Sequence, residues 1–237
     1  MMAFFIENRS LMKKHIPNLL TCLNLFSGCI AVLMALDGNI KAVTICVLAS
    51  GIFDFFDGMV ARLLHVKSLI GKELDSLADM VSFGFLPGTL MFTLLLKVFP
   101  EGSPLPYLGY IVTVFSALRL AKFNLDERQT SDFIGLNTPM NTFYVLSLPY
   151  IADKYPNVIL NPYFLIGSVL LTSFLLVSEI RLFSMKFNSM DWKTNKFRFI
   201  FLILTVILFI LGQFMALPLI LLLYFILSAF HFNKKTI

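Results

Sequence analysis

Long apolar segments separated by short polar ones dominate the chain from residue 16 onward. An α-helix needs about 20 apolar residues to cross a bilayer, and eight segments reach or approach that length. They lie near residues 16–36, 41–62, 74–96, 105–121, 139–152, 160–180, 197–212 and 214–231. The fifth segment is the shortest and contains Pro149. The pattern predicts an all-α integral membrane protein, a polytopic bundle of about eight transmembrane helices.

The composition agrees with this fold class. Of the 237 residues, 58% are hydrophobic and 14% are charged, and the mean hydropathy is +0.83. Soluble domains carry about 25% charged residues. The chain is therefore predicted to form one membrane-embedded bundle, without a second, soluble domain.

The basic residues predict the orientation of the bundle. If both termini are cytoplasmic, only Lys41, Lys97 and Lys154 lie on the opposite side, and the other sixteen of the nineteen Lys and Arg face the cytoplasm. Cytoplasmic segments of membrane proteins carry such an excess of positive charge. The bias predicts a multi-pass protein of the cytoplasmic membrane, and it accounts for the net charge of +5 without a nucleic-acid partner.

Three regions follow from this organisation. Residues 1–15 mix apolar and charged side chains, which predicts an interfacial amphipathic segment, with a frayed tail as the alternative. Residues 16–186 form the expected membrane domain. Residues 187–237 form a C-terminal pair of transmembrane helices.

Two helical segments carry acidic side chains close to their predicted cytoplasmic ends. Asp54 and Asp57 are three residues apart, and Asp75 and Asp79 are four apart, so each pair shares one helix face. Carboxylates in a membrane segment are costly, which makes them candidates for a functional site. Four of them from neighbouring helices would repel one another unless a cation lay between them, and oxygen ligands suit Mg²⁺ or Mn²⁺.

Small residues accompany the acidic ones. Gly58, Ala61 and Gly71 lie on or beside the same faces, where the absence of large side chains lets a ligand approach the backbone. Arg62 follows Gly58 by four residues and is placed to reach a phosphate. Together these residues indicate a site for a metal-bound phosphate.

The pattern D-x-x-D-G-x-x-A-R-x8-G-x-x-x-D-x-x-x-D is filled at every specified position from Asp54 to Asp79. It resembles the signature of the CDP-alcohol phosphotransferase family. The continuation from Leu74 to Gly84, and the segment from Arg119 to Asn124, resemble the phosphatidylserine synthase branch of that family. The resemblance extends over residues 16–186.

The resemblance implies a function and roles for these residues. It implies transfer of the phosphatidyl group from CDP-diacylglycerol to L-serine, with release of CMP, one or two Mg²⁺ or Mn²⁺ ions, and a homodimer by analogy. Asp79 would be the catalytic base and would also lie near a second ion. The metal ligands would be Asp54, Asp57, Asp75 and Asp79, and the CDP pocket would include Gly58, Ala61, Arg62 and Gly71.

Two further groups of residues have alternative interpretations. Asn18 and Thr21 follow Pro17 in the first span, and they would either bind the nucleotide or cap the helix. Arg119, Lys122 and Asn124 end the fourth span on the side of the acidic residues. They would either bind the acceptor, with Arg119 holding the carboxylate of an amino acid, or anchor the helix at the membrane surface.

Other functions are also compatible with buried acidic residues. The same chemistry could use glycerol 3-phosphate or inositol as the acceptor, although glycerol phosphate should require several converging cations. A divalent-cation transporter is the alternative from another class, but transporters place such sites near the midplane, often between repeats. The aspartates could also be helix caps, although Asp54 and Asp57 lie near a helix end, where the dipole opposes them.

Overall fold

The protein is described by a computed structural model that covers residues 2–66, 69–126, 128, 132–185 and 191–233. For residues 2–14, 193 and 194 it describes the backbone alone. Within these ranges the chain is almost entirely helical, which confirms the predicted all-α class. The helices are α1 (Met2–Leu36), α2 (Ile40–Leu63), α3 (Leu69–Asp79), α4 (Leu86–Leu96), α5 (Ile111–Leu125), α6 (Thr138–Lys154), α7 (Pro156–Ile159), α8 (Pro162–Val177), α9 (Trp192–Gly212) and α10 (Leu217–Asn233).

Three irregular helical turns link these helices. A π-helix, Met80–Phe85, joins α3 to α4 without a break, so that the two form one long rod. A 3₁₀ turn, Leu105–Tyr110, precedes α5, and another, Gln213–Ala216, separates α9 from α10. The hydrophobic pattern did not predict the π-helix, a feature that often occurs at functional sites.

One short β-ladder was also not predicted. Strands β1 (Phe133–Ile134) and β2 (Arg181–Leu182) pair antiparallel, with Phe133 opposite Leu182. The ladder connects the segment before α6 to the segment after α8.

Asparagine side chains begin several helices. Asn137 accepts a hydrogen bond from the backbone nitrogen of Met140 at the start of α6, and Asn39 and Asn161 cap α2 and α8 in the same way. Such caps satisfy backbone donors that have no partner within the helix. They fix where α2, α6 and α8 begin.

Five stretches are long and apolar enough to cross a membrane: His15–Leu36, Ile40–Leu63, Leu69–Leu96, Leu105–Leu125 and Asn195–Asn233. The last stretch contains both α9 and α10, and α8 is a shorter apolar helix. These stretches support a polytopic membrane protein. The count of eight spans and the cytoplasmic position of both termini stay predictions.

The described contacts place the predicted site at one end of the bundle. Asn124 near the end of α5 bonds Ser76 of α3 at this end. At the opposite end the hydroxyl groups of Thr44 and Tyr150 are 2.8 Å apart, and the Tyr150 ring stacks on Phe214 in the turn between α9 and α10. The carboxyl ends of α2 and α5 therefore meet the amino ends of α3 and α6.

The main core surrounds α4, whose side chains are mostly buried. Leu86, Leu90, Leu94 and Leu95 are almost completely excluded from the surface. A second cluster of buried side chains lies between α9, α10 and the segment that follows β2, with Phe183 at its centre. The rod formed by α3 and α4 is thus central, and the C-terminal helix pair packs at one side.

The predicted region boundaries are only partly covered by the structure. The backbone of α1 continues from residue 2 into the first span, whereas the amphipathic character predicted for residues 1–15 lies outside the described side chains. The boundary between residues 186 and 187 also lies outside the described residues. The helix α9 begins at Trp192, earlier than the predicted span 197–212.

Candidate active site

Three of the four predicted aspartates form one cluster. Carboxylate oxygens of Asp54, Asp57 and Asp75 all lie within 4.8 Å of one another. Asp75 Oδ1 is buried, and no hydrogen-bond donor contacts it within the described part of the chain. Oxygens at this spacing, one of them without a donor, fit a hard divalent cation such as Mg²⁺ or Mn²⁺.

Asp79 lies beside this cluster in a different environment. It follows Asp75 by one turn at the end of α3, and Asp54 lies within hydrogen-bonding reach of it. Its Oδ1 accepts a hydrogen bond from Asn24 Nδ2 at 3.2 Å. Asp79 thus adjoins the candidate metal centre and differs from the other three carboxylates in its contact with Asn24.

A cavity of about 440 Å³ opens beside the cluster. Residues from α1, α2 and α3 form its walls, together with Val66 from the segment between α2 and α3. They are Pro17, Asn18, Thr21, Asp57, Gly58, Ala61, Val66, Leu69, Gly71, Lys72 and Asp75. We call it the donor cavity. Five residues predicted to bind CDP, namely Asn18, Thr21, Gly58, Ala61 and Gly71, therefore lie together.

Thr21 connects α1 to the acidic cluster. Its hydroxyl lies 2.6 Å from Asp57 Oδ2, to which it donates, and 3.1 Å from the carbonyl oxygen of Pro17. Both Asn18 and Thr21 lie well inside α1, which begins at Met2. Their interpretation as helix caps is therefore wrong.

Arg62 lies at the rim of the donor cavity rather than in its wall. The guanidinium group folds back over Gly58, so that a Cβ at position 58 would lie 3.5 Å from Arg62 Nη1. Its side chain is exposed near the end of α2. This position leaves the guanidinium group accessible to a phosphate that enters the donor cavity.

A second cavity, of about 170 Å³, lies on the other side of Asp75. Its walls come from α3, α5, β1 and the start of α6. They comprise Asp75, Ser76, Asp79, Arg119, Leu120, Phe123, Asn124, Phe133, Asn137, Thr138 and Pro139. We call it the acceptor cavity. Among the described residues in its wall, Arg119 is the one cation.

Arg119 is buried, with only 4% of its surface exposed. Its Nε donates to the carbonyl oxygen of Leu136 at 3.2 Å, and its guanidinium carbon lies 5.1 Å from the centre of the Phe123 ring. A charge that only anchors a helix at the membrane surface should be exposed. The anchor interpretation of Arg119 is therefore wrong.

The other two predicted acceptor residues differ in position. Asn124 lines the acceptor cavity, where its Nδ2 donates to Ser76 Oγ at 2.8 Å and its backbone oxygen accepts from Lys72 Nζ at 3.1 Å. Lys122 does not line this cavity. It lines a neighbouring cavity of about 270 Å³, which Arg119 also lines.

Charged groups surround this neighbouring cavity. Asp126, Arg128 and Glu179 lie in its wall. Arg128 pairs with both acids, and its hydrogen bond to Asp126 is the largest cause of a raised guanidinium pKa. Arg128 is thus matched by two acidic partners.

Sequence reasoning missed Asn24. Asn24 is completely buried and contacts Asp79, while Ser82 Oγ donates to Asn24 Oδ1 at 2.7 Å. The signal was available, because Asn24 is a polar residue inside a predicted span and lies one turn after Thr21. Sequence alone could not show that Asn24 of α1 contacts Asp79 at the end of α3.

Comparison with known proteins identifies the family. Residues 14–174 match the model of the CDP-alcohol phosphatidyltransferase family. This match covers more than half of the chain, and it contains all the residues that line the donor and acceptor cavities. The chain belongs to this family, which confirms the resemblance found in the sequence and favours an enzyme over a transporter.

Curated relatives are similar over most of the chain. The CDP-diacylglycerol–serine O-phosphatidyltransferase of Bacillus subtilis (strain 168) is 34% identical over 167 residues, which cover 70% of this chain and 89% of the relative. The protein of the same name from Helicobacter pylori (strain J99) is 33% identical over 199 residues, which cover 81% and 80%. An archaetidylserine synthase from Methanothermobacter thermautotrophicus is 32% identical over 142 residues, or 59% of each chain.

Proposed function

We propose that this protein transfers the phosphatidyl group of CDP-diacylglycerol to the hydroxyl group of L-serine, which yields phosphatidylserine and CMP. The names of its relatives in Bacillus subtilis and Helicobacter pylori support this reaction. The observation that carries the proposal is that two cavities of unequal size meet at Asp75. The larger would bind the liponucleotide and the smaller the acceptor, so that the acidic residues lie where the two substrates meet.

The donor cavity suits a nucleotide linked to a lipid. Gly58, Ala61 and Gly71 present little side-chain volume there, so a diphosphate can approach the acidic cluster closely. Lys72 in the wall and Arg62 at the rim supply positive charge for phosphate oxygens. Asn18 offers an amide for the nucleotide.

The metal centre in this proposal consists of Asp54, Asp57 and Asp75, with Asp79 near a second ion if two are bound. A bound Mg²⁺ or Mn²⁺ would neutralise charge on the diphosphate and make the phosphorus more electrophilic. The hydroxyl of Thr21 holds Asp57 Oδ2 and so orients this ligand. The unpartnered Asp75 Oδ1 supports the assignment.

Asp79 accepts the proton of the acceptor alcohol in this proposal. The serine oxygen forms a bond to the phosphorus of the phosphatidyl group, and the bond from that phosphorus to the oxygen of CMP breaks. The serine proton moves to Asp79, and CMP leaves with the electron pair. A base within hydrogen-bond reach is needed because an alcohol is a weak nucleophile near neutral pH.

The acceptor cavity favours an amino acid over the alternative acceptors. Arg119 can pair with one carboxylate, whereas the dianion of glycerol 3-phosphate should require several converging cations. The carboxylates of Asp75 and Asp79 suit the ammonium group of a zwitterion. Inositol is neutral and cannot form an ion pair with the buried guanidinium group of Arg119. Asn124 would add a polar contact to the acceptor, and Lys122 would attract the acceptor from the neighbouring cavity.

The cellular setting follows from the same arrangement. We infer a multi-pass protein of the cytoplasmic membrane, with the site at the cytoplasmic end of the bundle, where both substrates are within reach. Residues 16–186 would form the catalytic membrane domain, and residues 187–237 an additional helix pair. Homodimer formation stays a prediction.

An acceptor comparison tests this function. Purified protein in detergent is given CDP-diacylglycerol, Mn²⁺ and one acceptor, either L-serine, glycerol 3-phosphate or inositol, with a sample that lacks acceptor as the control. We expect CMP release and a new lipid of the mass of phosphatidylserine with L-serine alone. Faster release with glycerol 3-phosphate or inositol would contradict serine as the acceptor.

A further inference from the structure

Asn24 is the centre of a set of hydrogen bonds that joins α1 to α2 and to the π-helix. Its side chain is completely buried, and its Nδ2 donates to Asp79 Oδ1 at 3.2 Å. Its Oδ1 accepts from Ser82 Oγ at 2.7 Å. Its backbone oxygen lies 3.1 Å from Ser82 Oγ and 3.2 Å from Ser50 Oγ.

Only one orientation of the Asn24 amide satisfies these contacts. An ionised carboxylate accepts hydrogen bonds and donates none, so the amide nitrogen must face Asp79. The amide oxygen is then left for Ser82, whose hydroxyl must donate. The hydrogen bond from Ser82 then helps to hold the amide in the orientation in which Asn24 presents a donor to Asp79.

The surroundings of Ser82 leave it little freedom. A Cβ on Gly28, one turn after Asn24 on α1, would lie well inside contact distance of Ser82 Oγ. Only glycine at position 28 leaves room for this hydroxyl group, since real Cβ contacts are not that short. The next residue, Phe83, is held as well, because its carbonyl oxygen accepts from Thr142 Oγ1 of α6 at 3.0 Å. The donor that faces Asp79 is thus fixed by three segments of the bundle.

We infer that Asn24 is a positioning residue for Asp79. Its hydrogen bond to Oδ1 fixes the rotamer of this carboxylate and leaves the other oxygen to take the proton of the acceptor alcohol. The inference rests on the proposed function, because it takes Asp79 as the proton acceptor. Asn24 itself exchanges no proton and contacts neither substrate.

A neutral amide suits this task. Asp54 lies within reach of Asp79, so without a restraint the Asp79 carboxylate could turn towards the other carboxylates and any cation that they hold. A lysine at this position would compete with a metal ion for the same oxygens, whereas an amide adds no charge. A misplacement of about 1 Å can lower a rate by about a hundredfold.

The test compares kinetic constants of variants of the full-length protein in detergent. Asn24→Leu keeps the volume of the side chain and removes the donor. We expect its kcat to fall by about tenfold to a hundredfold, while KM for CDP-diacylglycerol and for L-serine changes less than about threefold. Ser50→Ala is the matched control, since it removes a hydrogen bond to the backbone of Asn24 and leaves the amide untouched; its kcat should stay close to that of the wild type.

Ser82→Ala provides a second, milder test that leaves Asn24 in place. We expect a smaller fall in kcat, and no further fall when Ser82→Ala is added to Asn24→Leu, because Ser82 acts through Asn24. If Asn24 and Ser82 only stabilised the fold, the two losses of kcat would add up in the double variant and the unfolding temperature would fall. If Asn24→Leu does not fold, Ser82→Ala alone decides the question by its kcat.

The outcomes separate this inference from the proposed function. If the wild type releases no CMP with L-serine and Mn²⁺, the proposed function fails. If the wild type is active and the kcat of Asn24→Leu or Ser82→Ala equals that of the wild type, the positioning role is overturned. The positioning role would also be overturned if the losses of kcat in Asn24→Leu and Ser82→Ala added up in the double variant. It would likewise be overturned if KM changed as strongly as kcat.

Discussion

The site end of the bundle and the C-terminal helix pair differ in the surroundings of their buried polar groups. In the C-terminal pair, Tyr224 donates to the carbonyl oxygen of Phe183 at 2.6 Å, and Arg198 Nε donates to that of Ser184 at 2.7 Å. At the site end, Asp75 Oδ1 is buried without a donor, and two cavities adjoin it. Around Phe183 the polar side chains bond backbone oxygens, whereas Asp75 Oδ1 adjoins cavities that a ligand can enter.

This difference has an energetic meaning. A buried polar atom without a partner costs about 1–3 kcal/mol, and a ligand in either cavity can supply the contact that Asp75 Oδ1 lacks. Around Phe183 in the C-terminal pair, aromatic rings instead pack in edge-to-face contacts. Substitutions in the two regions should therefore separate activity from stability.

The largest effect is expected for Asp79→Asn. The change keeps the shape of the side chain and removes the base, so kcat should fall by a factor of about 10² to 10⁴, while CDP-diacylglycerol still binds. CMP release and lipid binding are measured on the same preparation. Glu73→Gln is the matched control, because Glu73 is exposed on the same helix. A kcat near that of the wild type in Asp79→Asn would remove Asp79 from the role of base.

A large effect is also expected for Asp75→Asn, which alters the candidate metal centre. The loss of one ligand should lower Mn²⁺ affinity by at least about a hundredfold, since even residues that only support metal ligands have effects of 10-fold to 100-fold. Equilibrium dialysis or the paramagnetic signal of Mn²⁺ gives this affinity without a turnover assay. Unchanged Mn²⁺ binding in both Asp75→Asn and Asp57→Asn would contradict a metal site in this cluster.

A more selective effect is expected for Arg119→Ala. If the guanidinium group holds the carboxylate of serine, KM for L-serine should rise by about tenfold to a hundredfold, with a much smaller change in KM for CDP-diacylglycerol. Arg128→Ala is the control, because Arg128 is exposed and paired with acidic residues. Equal changes in both KM values would indicate a structural role for Arg119.

The smallest effect on activity is expected for Tyr224→Phe. The variant leaves the buried carbonyl oxygen of Phe183 without its donor, which should lower stability by about 1–3 kcal/mol. Because this contact lies in the C-terminal pair, kcat should remain within about twofold of the wild type. Thermal unfolding in detergent and a CMP assay on the same sample test both parts. A strong loss of kcat without loss of stability would break the contrast between the two regions.

Much of this fold could be predicted from the hydrophobic pattern. The all-α class follows from the long apolar segments. The cluster of Asp54, Asp57 and Asp75 could be predicted from residue spacing, because it requires only that one face of α2 meets one face of α3. The π-helix could not be predicted in this way. Two of its carbonyl oxygens, those of Gly84 and Phe83, accept hydrogen bonds from Thr113 and Thr142, which lie far along the chain on α5 and α6.

The site was predicted less completely than the acidic cluster. Signature spacing led to Gly58, Ala61 and Gly71 but gave no information on Asn24, which contacts Asp79 from 55 residues away. The sequence likewise grouped Lys122 with Arg119 as predicted acceptor-binding residues. Of these two, only Arg119 lines the acceptor cavity. Contacts between helices distant in the chain depend on packing angles, which a periodic pattern does not specify.

Removal of divalent cations tests the central claim most directly. Purified protein is treated with a chelator, freed of it by gel filtration, and given CDP-diacylglycerol and L-serine with and without added Mn²⁺. We predict that CMP release is abolished without the ion and returns when it is added. Full CMP release from the metal-free protein would contradict a mechanism in which the aspartates act through a bound divalent cation.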